Sequence, residues 1–140
     1  MFVFAIKKAP KVPLVIYSSN VSAGFPSPAD DHTENKLDLN EYLIKKPAAT
    51  FFARVEGESM KDSGIFDGDL LIVDRSLYPK DNDIIIAVIQ GELTLKRLKN
   101  INESWLLSAE NNSFPDIIID ENGCEVWGVV VHSVRNHYDR

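Results

Sequence analysis

The sequence predicts a mainly β protein, a compact antiparallel domain of the barrel-like or sandwich type with one short helix and a mobile amino-terminal arm. Three observations lead to this prediction. Short apolar and β-branched runs recur after Ala48, turn residues separate them, and prolines punctuate the first 31 residues. We therefore expect two parts, an arm over residues 1–31 and a folded domain over residues 32–140.

The arm contains four prolines, which exclude a long helix because proline lacks the N–H group that a helix interior requires. Val12–Tyr17 has the composition of a strand, and Ser18–Asp31 has that of an exposed, mobile segment. Beyond the arm, Leu37–Lys46 carries apolar residues at helical spacing, with Asp38 or Asn40 available as N-cap. Pro47 predicts the end of this helix.

After Ala48 the apolar runs are short and have the composition of strands. Gln90–Gly91 lies between two of them and predicts a tight hairpin, in which Gly91 supplies a positive φ. The predicted strands are Thr50–Val55, Asp69–Asp74, Ile84–Ile89, Leu93–Leu98, Trp105–Ser108, Ile117–Ile119 and Val126–Val134.

The net charge of −6 disfavours binding of duplex DNA, because such binding requires a basic face. No apolar run approaches the roughly 18 residues that a membrane span needs, and the amino end lacks the charge order of a secretory signal. The single cysteine, Cys124, cannot form an internal disulfide and favours a reducing compartment. We expect a cytoplasmic protein that binds neither membrane nor duplex DNA.

Ser59 is the candidate nucleophile, since it lies in a loop between a predicted strand and two glycines. A serine hydroxyl attacks an acyl carbon only when a base removes its proton, and backbone N–H groups in a turn can stabilise the resulting oxyanion. Serine in a glycine-containing loop is also a common turn former. The residue type and its position therefore leave both interpretations open.

Lys96 is the candidate base, on the second arm of the predicted hairpin. A lysine acts as a base only when neutral, and burial lowers its pKa by penalising the ammonium form. A nearby like charge such as Arg97 would act in the same direction. Strand alternation places Lys96 on the face of Thr94 and Leu98 and leaves its burial open, and a solvated lysine on an edge strand is the alternative.

Histidine and cysteine give no comparable site. The histidines His32, His132 and His137 lie in no recognisable triad setting, although a triad is spatial and the sequence does not exclude one. Cys124 and His132 are expected in packing or surface roles. No metal site or cofactor is predicted from these residues.

The motifs together resemble the LexA/UmuD family of self-cleaving serine peptidases, and within it the UmuD-type mutagenesis proteins. The segments that carry the likeness are GFPSPADD, LDLNEYLIKKPAATFFARVEGESM, DSGIFDGDLLIVDRS, GELTLKRL and VWGVVVHSV. The resemblance implies that Ser59, in a G-x-S-M motif, and Lys96, in an E-x-T-x-K strand, form a catalytic dyad. It also implies an oxyanion site at the backbone N–H groups of Ser59 and Met60.

The family cleaves after a small residue that precedes glycine, which corresponds here to Ala23–Gly24. UmuD-type proteins often have cysteine before that glycine, whereas this chain has alanine. Only 23 residues precede the bond, too few for the DNA-binding domain of the repressor members. The resemblance therefore implies an accessory of error-prone translesion synthesis in the SOS response, with a homodimeric state. The implied partners are a RecA–single-strand filament that promotes cleavage and a Y-family polymerase subunit.

Three other functions stay open. One is a non-catalytic module that regulates a polymerase, and another is a peptidase that cleaves a different protein in trans. A plasmid- or phage-borne relative with a different client is the third. Which polymerase it binds, and whether cleavage occurs within or between protomers, does not follow from the sequence.

Overall fold

Ten strands and one α-helix are present among residues 3–5, 11–14, 36–120 and 123–138, the residues that this computed structural model describes. The helix α1 is Leu39–Leu43. The strands are β1 (Val3–Ala5), β2 (Pro13–Leu14), β3 (Leu37–Asp38), β4 (Thr50–Arg54), β5 (Leu70–Asp74), β6 (Ile84–Ile89), β7 (Glu92–Ile101), β8 (Ser104–Ser108), β9 (Ile117–Ile118) and β10 (Glu125–Val134). The prediction of a mainly β, antiparallel fold with one short helix is confirmed.

The chain divides into two compact units, one of residues Lys7–Lys45 and one of Met1–Ile6 with Lys46–Arg140. In the smaller unit β2 pairs with β3, and α1 follows directly. The Asp38 carboxylate accepts a hydrogen bond from the Asn40 N–H at 3.2 Å and caps the helix, so Asp38 is the N-cap. The helix is shorter than the predicted Leu37–Lys46 at both ends, because Leu37–Asp38 are extended and pair as β3, and because Ile44 is extended. The helix therefore ends at Leu43, before Pro47 could stop it.

The larger unit contains an eight-stranded sheet with the order β1-β4-β5-β10-β6-β7-β8-β9, in which every neighbouring pair is antiparallel. Strand β10 comes late in the chain and lies in the middle, between β5 and β6. Gly128 lies on it, and a Cβ there would be 2.6 Å from a Val73 methyl carbon. Only glycine therefore allows β5 and β10 to approach this closely.

Two hydrophobic clusters cover the two faces of the β6–β7 hairpin. Ile86 and its partner Leu95 belong to the first cluster, and Ile85 belongs to the second. The first cluster also contains Phe51, Ala53, Val55, Met60, Ile65, Leu71 and Val73, and the second contains Ala87, Leu98, Leu107 and Val129. Because both faces are covered, side chains of either alternation on this hairpin are buried.

The predicted hairpin is confirmed, with Gln90 at φ 52° and Gly91 at φ 80°. Positive φ at both central residues is the geometry that matches the twist of the flanking strands. Strand β1, which pairs with β4, lies in a part of the chain where the sequence predicts a strand only at Val12–Tyr17. Of that predicted strand, Pro13–Leu14 is extended, and residues 15–17 lie outside the described residues. The predicted mobile arm falls mostly outside them as well.

Candidate active site

The loop that carries Ser59 leaves the sheet after β4 and returns to it before β5. Backbone hydrogen bonds close its base, from the Val55 N–H to the Asp69 carbonyl at 2.9 Å and from the Gly68 N–H to the Val55 carbonyl at 2.8 Å. The Gly57 N–H donates to the Asp67 carboxylate at 2.8 Å one step further out. The two ends of the loop are therefore fixed to each other where β4 ends and β5 begins.

Ser59 is a central residue of a hydrogen-bonded turn. The Lys61 N–H donates to the Glu58 carbonyl at 3.2 Å, so Ser59 and Met60 occupy the two middle positions. Within the described part of the chain, the backbone N–H groups of these two residues have no hydrogen-bond acceptor. Such N–H groups are available to an incoming oxyanion.

Met60 fixes this turn to the protein interior. Its side chain is 1% exposed and belongs to the first hydrophobic cluster, whereas Ser59 is half-buried. The Met60 carbonyl accepts hydrogen bonds from the N–H groups of Ser63 and Ile65. Burial of Met60 therefore determines where the neighbouring serine lies.

Lys96 lies on β7 opposite Ile85 and is 6% exposed. Lys96 shares the face of Ile85 and Leu98, which belong to the second hydrophobic cluster. Leu95, next to it in sequence, points to the opposite face and is part of the same cluster as Met60. Burial lowers the pKa of the Lys96 amine, and the negative charge of Asp116 opposes this only in part. The open question of its exposure is thus settled in favour of a buried amine.

Arg97 does not contribute to the lowered pKa of Lys96. Its guanidinium forms an ion pair with Glu110, and it also donates to the Asn82 carbonyl at 2.6 Å. The predicted effect of burial on the Lys96 pKa is therefore confirmed, and the additional effect expected from Arg97 as a like charge is not found.

A segment after β8, Glu110–Phe114, contacts both the serine loop and the lysine strand. The Glu110 carbonyl accepts from the Asp62 N–H at 2.7 Å, and the Phe114 ring centroid lies 5.7 Å from the Lys96 Nζ. Among residues 36–120 and 123–138, no hydrogen bond joins the Ser59 hydroxyl to the Lys96 amine. The structure thus links the elements that carry the two side chains through this segment and through the shared hydrophobic cluster.

The family model for Peptidase S24-like proteins matches residues 14–131. This match includes the serine turn, the lysine strand and most of β10. The chain belongs to the Peptidase S24-like family. The resemblance to LexA/UmuD proteins is thereby confirmed, and the chain is a homologue of peptidases.

Individual relatives agree with membership of the S24-like family. Protein MucA of Salmonella typhimurium is 45% identical over 123 residues, which cover 86% of this chain and 84% of that protein. Protein ImpA of Shigella flexneri is 45% identical over 120 residues, covering 86% of this chain and 82% of that protein. The LexA repressor of Proteus mirabilis is 42% identical over 118 residues, which cover 83% of this chain and 58% of the repressor.

The other residues that the sequence singles out in this S24-like chain lie apart from the serine turn or beyond the described ranges. Ala23, Gly24 and His32 lie outside the described residues. Cys124 is partly buried against the second hydrophobic cluster, and burial raises the pKa of its thiol. His132 lies on β10 opposite Ile72.

Within the described ranges, no helix has the length and apolar character to cross a membrane. The same ranges contain no group of three or more His, Cys, Asp or Glu side chains arranged to hold a metal ion.

The sequence offers no indication of Asn111 or Phe114 as parts of this site. Both lie in a polar, turn-rich stretch that has no strand or helix period. Asn111 contacts Glu58, 53 positions earlier in the chain, which no local pattern can indicate. The nearest available signal is the run Glu110-Asn111-Asn112-Ser113, which is typical of a turn.

Proposed function

We propose that this chain is a self-cleaving serine peptidase that cuts its own Ala23–Gly24 bond, with Ser59 as nucleophile and Lys96 as base. The observation that carries the proposal is the burial of the Lys96 amine on a strand that shares a hydrophobic cluster with the serine turn. A buried lysine without an ion-pair partner loses its proton more readily than an exposed one. Membership of a peptidase family supports the same assignment.

In this mechanism neutral Lys96 takes the proton of the Ser59 hydroxyl, and Oγ attacks the carbonyl carbon of Ala23. The backbone N–H groups of Ser59 and Met60 donate to the resulting oxyanion, and each such donor contributes about 3 kcal/mol in comparable enzymes. Collapse of the intermediate breaks the bond to Gly24, whose amine receives the proton from Lys96. A water molecule, deprotonated by Lys96, then hydrolyses the ester between Ser59 and Ala23.

A glycine after the cleaved bond fits this chemistry because it lets the substrate backbone approach the nucleophile closely. Cleavage removes residues 1–23 and leaves residues 24–140. We propose that this shortened form, in the cytoplasm and as a homodimer, is an accessory subunit of an error-prone translesion polymerase in the SOS response. The support is the resemblance to UmuD-type proteins and the similarity to MucA and ImpA over most of their length.

Two partners belong to this proposal, a RecA–single-strand filament and a Y-family polymerase subunit. The filament would act by stabilising the docked arm, which shifts a population and adds no chemical group. The acidic net charge of −6 is compatible with protein partners and unfavourable for duplex DNA.

Incubation of the full chain at about pH 10, followed by intact-mass measurement, tests the peptidase proposal. We expect loss of residues 1–23 from the wild type, at a rate that rises with pH until Lys96 is fully neutral. Ser59→Ala and Lys96→Ala should remain whole, with rates lower by about 10⁴-fold or more.

Lys96→Arg sharpens the test because arginine stays charged at every accessible pH. It should be inactive across the pH range, whereas Lys99→Arg, the same change on the same strand, should cleave like the wild type. Cleavage of Lys96→Ala at the wild-type rate would contradict the assignment of the base. A wild-type chain that stays whole, also with an activated RecA filament, would favour the non-catalytic module.

A further inference from the structure

Both polar atoms of the Asn111 side chain form hydrogen bonds within the molecule. The residue is 8% exposed and lies just after β8. Its Nδ2 donates to the Glu58 carbonyl at 2.8 Å, and its Oδ1 accepts from the Ser113 N–H at 3.0 Å. Its backbone carbonyl accepts from the Phe114 N–H at 3.0 Å. The amide orientation is therefore fixed from both ends.

The acceptor of the Asn111 amide is the first carbonyl of the serine turn. The same Glu58 oxygen accepts the N–H of Lys61, which closes the turn around Ser59 and Met60. A displacement of this carbonyl therefore moves both central residues. Asn111 is the side chain that connects this oxygen to a different part of the sheet.

The neighbours of Asn111 connect in turn to the lysine strand. The Glu110 carboxylate pairs with Arg97, the residue next to Lys96, and the Phe114 ring lies beside the amine. Glu110 also accepts the Asp62 N–H through its backbone. One five-residue segment, Glu110–Phe114, thus contacts the serine loop on one side and the lysine strand on the other.

We infer that Asn111 is a positioning residue for self-cleavage, whose amide fixes the orientation of the Ser59 turn relative to the segment that contacts the lysine strand. The inference rests on the proposed function. It assigns to Asn111 a task that neither member of the dyad performs alone. The hydrophobic cluster fixes Met60 roughly, and the directional hydrogen bond to Glu58 fixes the orientation of the turn.

Replacement by aspartate isolates the donor from the rest of the side chain. The carboxylate of Asn111→Asp would keep an oxygen for the Ser113 N–H but would present an acceptor to the Glu58 carbonyl, so two oxygens would face each other. Asn111→Asp should therefore release or displace the turn at nearly constant side-chain volume.

The experiment measures the self-cleavage rate of the full chain across pH, together with the thermal midpoint of each variant. Misplacement of reacting groups by about 1 Å costs about 10²-fold in rate. We expect a loss of about that size for Asn111→Asp, in the plateau of the profile and at temperatures where each variant is fully folded. The pH midpoint of the neutral variant Asn111→Ser should stay unchanged because no charge is added, whereas the new carboxylate of Asn111→Asp acts to raise the midpoint.

Asp81→Ala is the matched control. The Asp81 carboxylate accepts from the Asn100 N–H of β7 at 2.7 Å, a long-range bond of a side chain to the backbone that involves no residue of the serine loop. This variant should cleave at the wild-type rate when folded. A second variant, Asn111→Ser, takes less space and keeps a hydroxyl donor, so it should lose less activity than Asn111→Asp and provides the test if the aspartate variant does not fold.

The outcomes separate the two hypotheses. If the wild type does not cleave, or Ser59→Ala still cleaves, the proposed function fails. If the wild type cleaves through Ser59 and folded Asn111→Asp and Asn111→Ser both cleave at the wild-type plateau rate, the positioning role of Asn111 is wrong. A plateau lowered equally in Asp81→Ala would also overturn it, because a long-range bond that does not touch the serine turn would then have the same effect.

Discussion

Two buried ionisable side chains, Asp69 and Lys96, have lost nearly all contact with solvent but have opposite surroundings. The Asp69 side chain is 3% exposed and receives two hydrogen bonds from Arg135, at 2.9 and 2.8 Å, and one from the Phe66 N–H. Lys96 lies beside the Phe114 ring and, within the described part of the chain, has no carboxylate at ion-pair distance. The charge of Asp69 is therefore compensated by an ion pair, whereas a charge on Lys96 would have no such partner among the described residues.

Both groups have a lowered pKa, but the lowered value favours the charged form of the carboxyl and the neutral form of the amine. For Asp69 the hydrogen bonds from Arg135 lower the pKa, which stabilises the charged form. For Lys96 burial lowers the pKa, which favours the neutral form. The carboxylate with partners therefore stabilises the fold, whereas the amine without an ion-pair partner among the described residues fits the proposed role of a base.

Removal of Arg135 should have the largest effect on stability. Arg135→Met leaves the buried Asp69 carboxylate without the two hydrogen bonds from the guanidinium, which should lower the free energy of unfolding at neutral pH by more than any of the substitutions described below. The stability that Asp69 contributes is present above the usual carboxylate pKa and is lost as the pH falls through its lowered native pKa. The difference between variant and wild type should therefore shrink in acid.

Urea denaturation at several pH values measures this effect, in a Ser59→Ala background that keeps the chain whole. Arg54→Met is the control, since Arg54 donates to the Gly68 carbonyl of the same loop from an exposed position. It should cost less than about 1 kcal/mol. Equal losses in the two variants would show that the ion pair adds nothing to the fold.

Replacement of Lys96 should have the opposite effect and raise the free energy of unfolding. In the same Ser59→Ala background, Lys96→Met should be more stable at neutral pH, because methionine carries no ammonium group whose burial costs free energy. Between the lowered native pKa of Lys96 and its usual value, the unfolded chain binds more protons, so the parent gains stability as pH rises. The advantage of methionine should amount to about 1.4 kcal/mol for each pH unit of that window.

Denaturation curves at neutral pH and at about pH 11 measure how far the stability advantage of methionine decreases as the pH rises. Lys99→Met on the same strand controls for the loss of a positive charge and should show no comparable gain. A Lys96→Met chain that is less stable than its parent at neutral pH would mean that the amine has a compensating partner.

The smallest expected effect is that of Asp116. Its negative charge raises the pKa of Lys96 against the larger effect of burial. Asp116→Asn should therefore move the midpoint of the pH–rate profile of self-cleavage to lower pH. Glu103→Gln, which removes the same charge from the β7–β8 turn, should leave the midpoint in place, and an upward move in Asp116→Asn would contradict the electrostatic account.

Local patterns predict much of this fold. Every strand of the larger unit after residue 48 falls on a predicted run, and Gln90–Gly91 forms the hairpin turn. Strand β1 is not predictable in this way, because three residues carry too little periodicity and their partner in β4 lies far along the chain.

Local sequence patterns predict less of the candidate site than of the fold. The family resemblance predicts Ser59 and Lys96 as site residues. The burial of Lys96, however, depends on both faces of the β6–β7 hairpin being covered, which alternation within one strand does not show. Asn111 meets Glu58 only through the folded sheet. Contacts between residues this far apart in sequence produce no local pattern from which they could be predicted.

The position of β10 in the sheet has a consequence for synthesis. The serine turn belongs to the β4–β5 side of this strand and the lysine to the β6–β7 side, so the final strand order cannot form until residues 125–134 exist. In a chain that grows from its amino end, Ser59 and Lys96 are therefore synthesised before the strand that lies between their two sides of the sheet. If the two residues act as proposed, a nascent chain does not complete its site until β10 has been made.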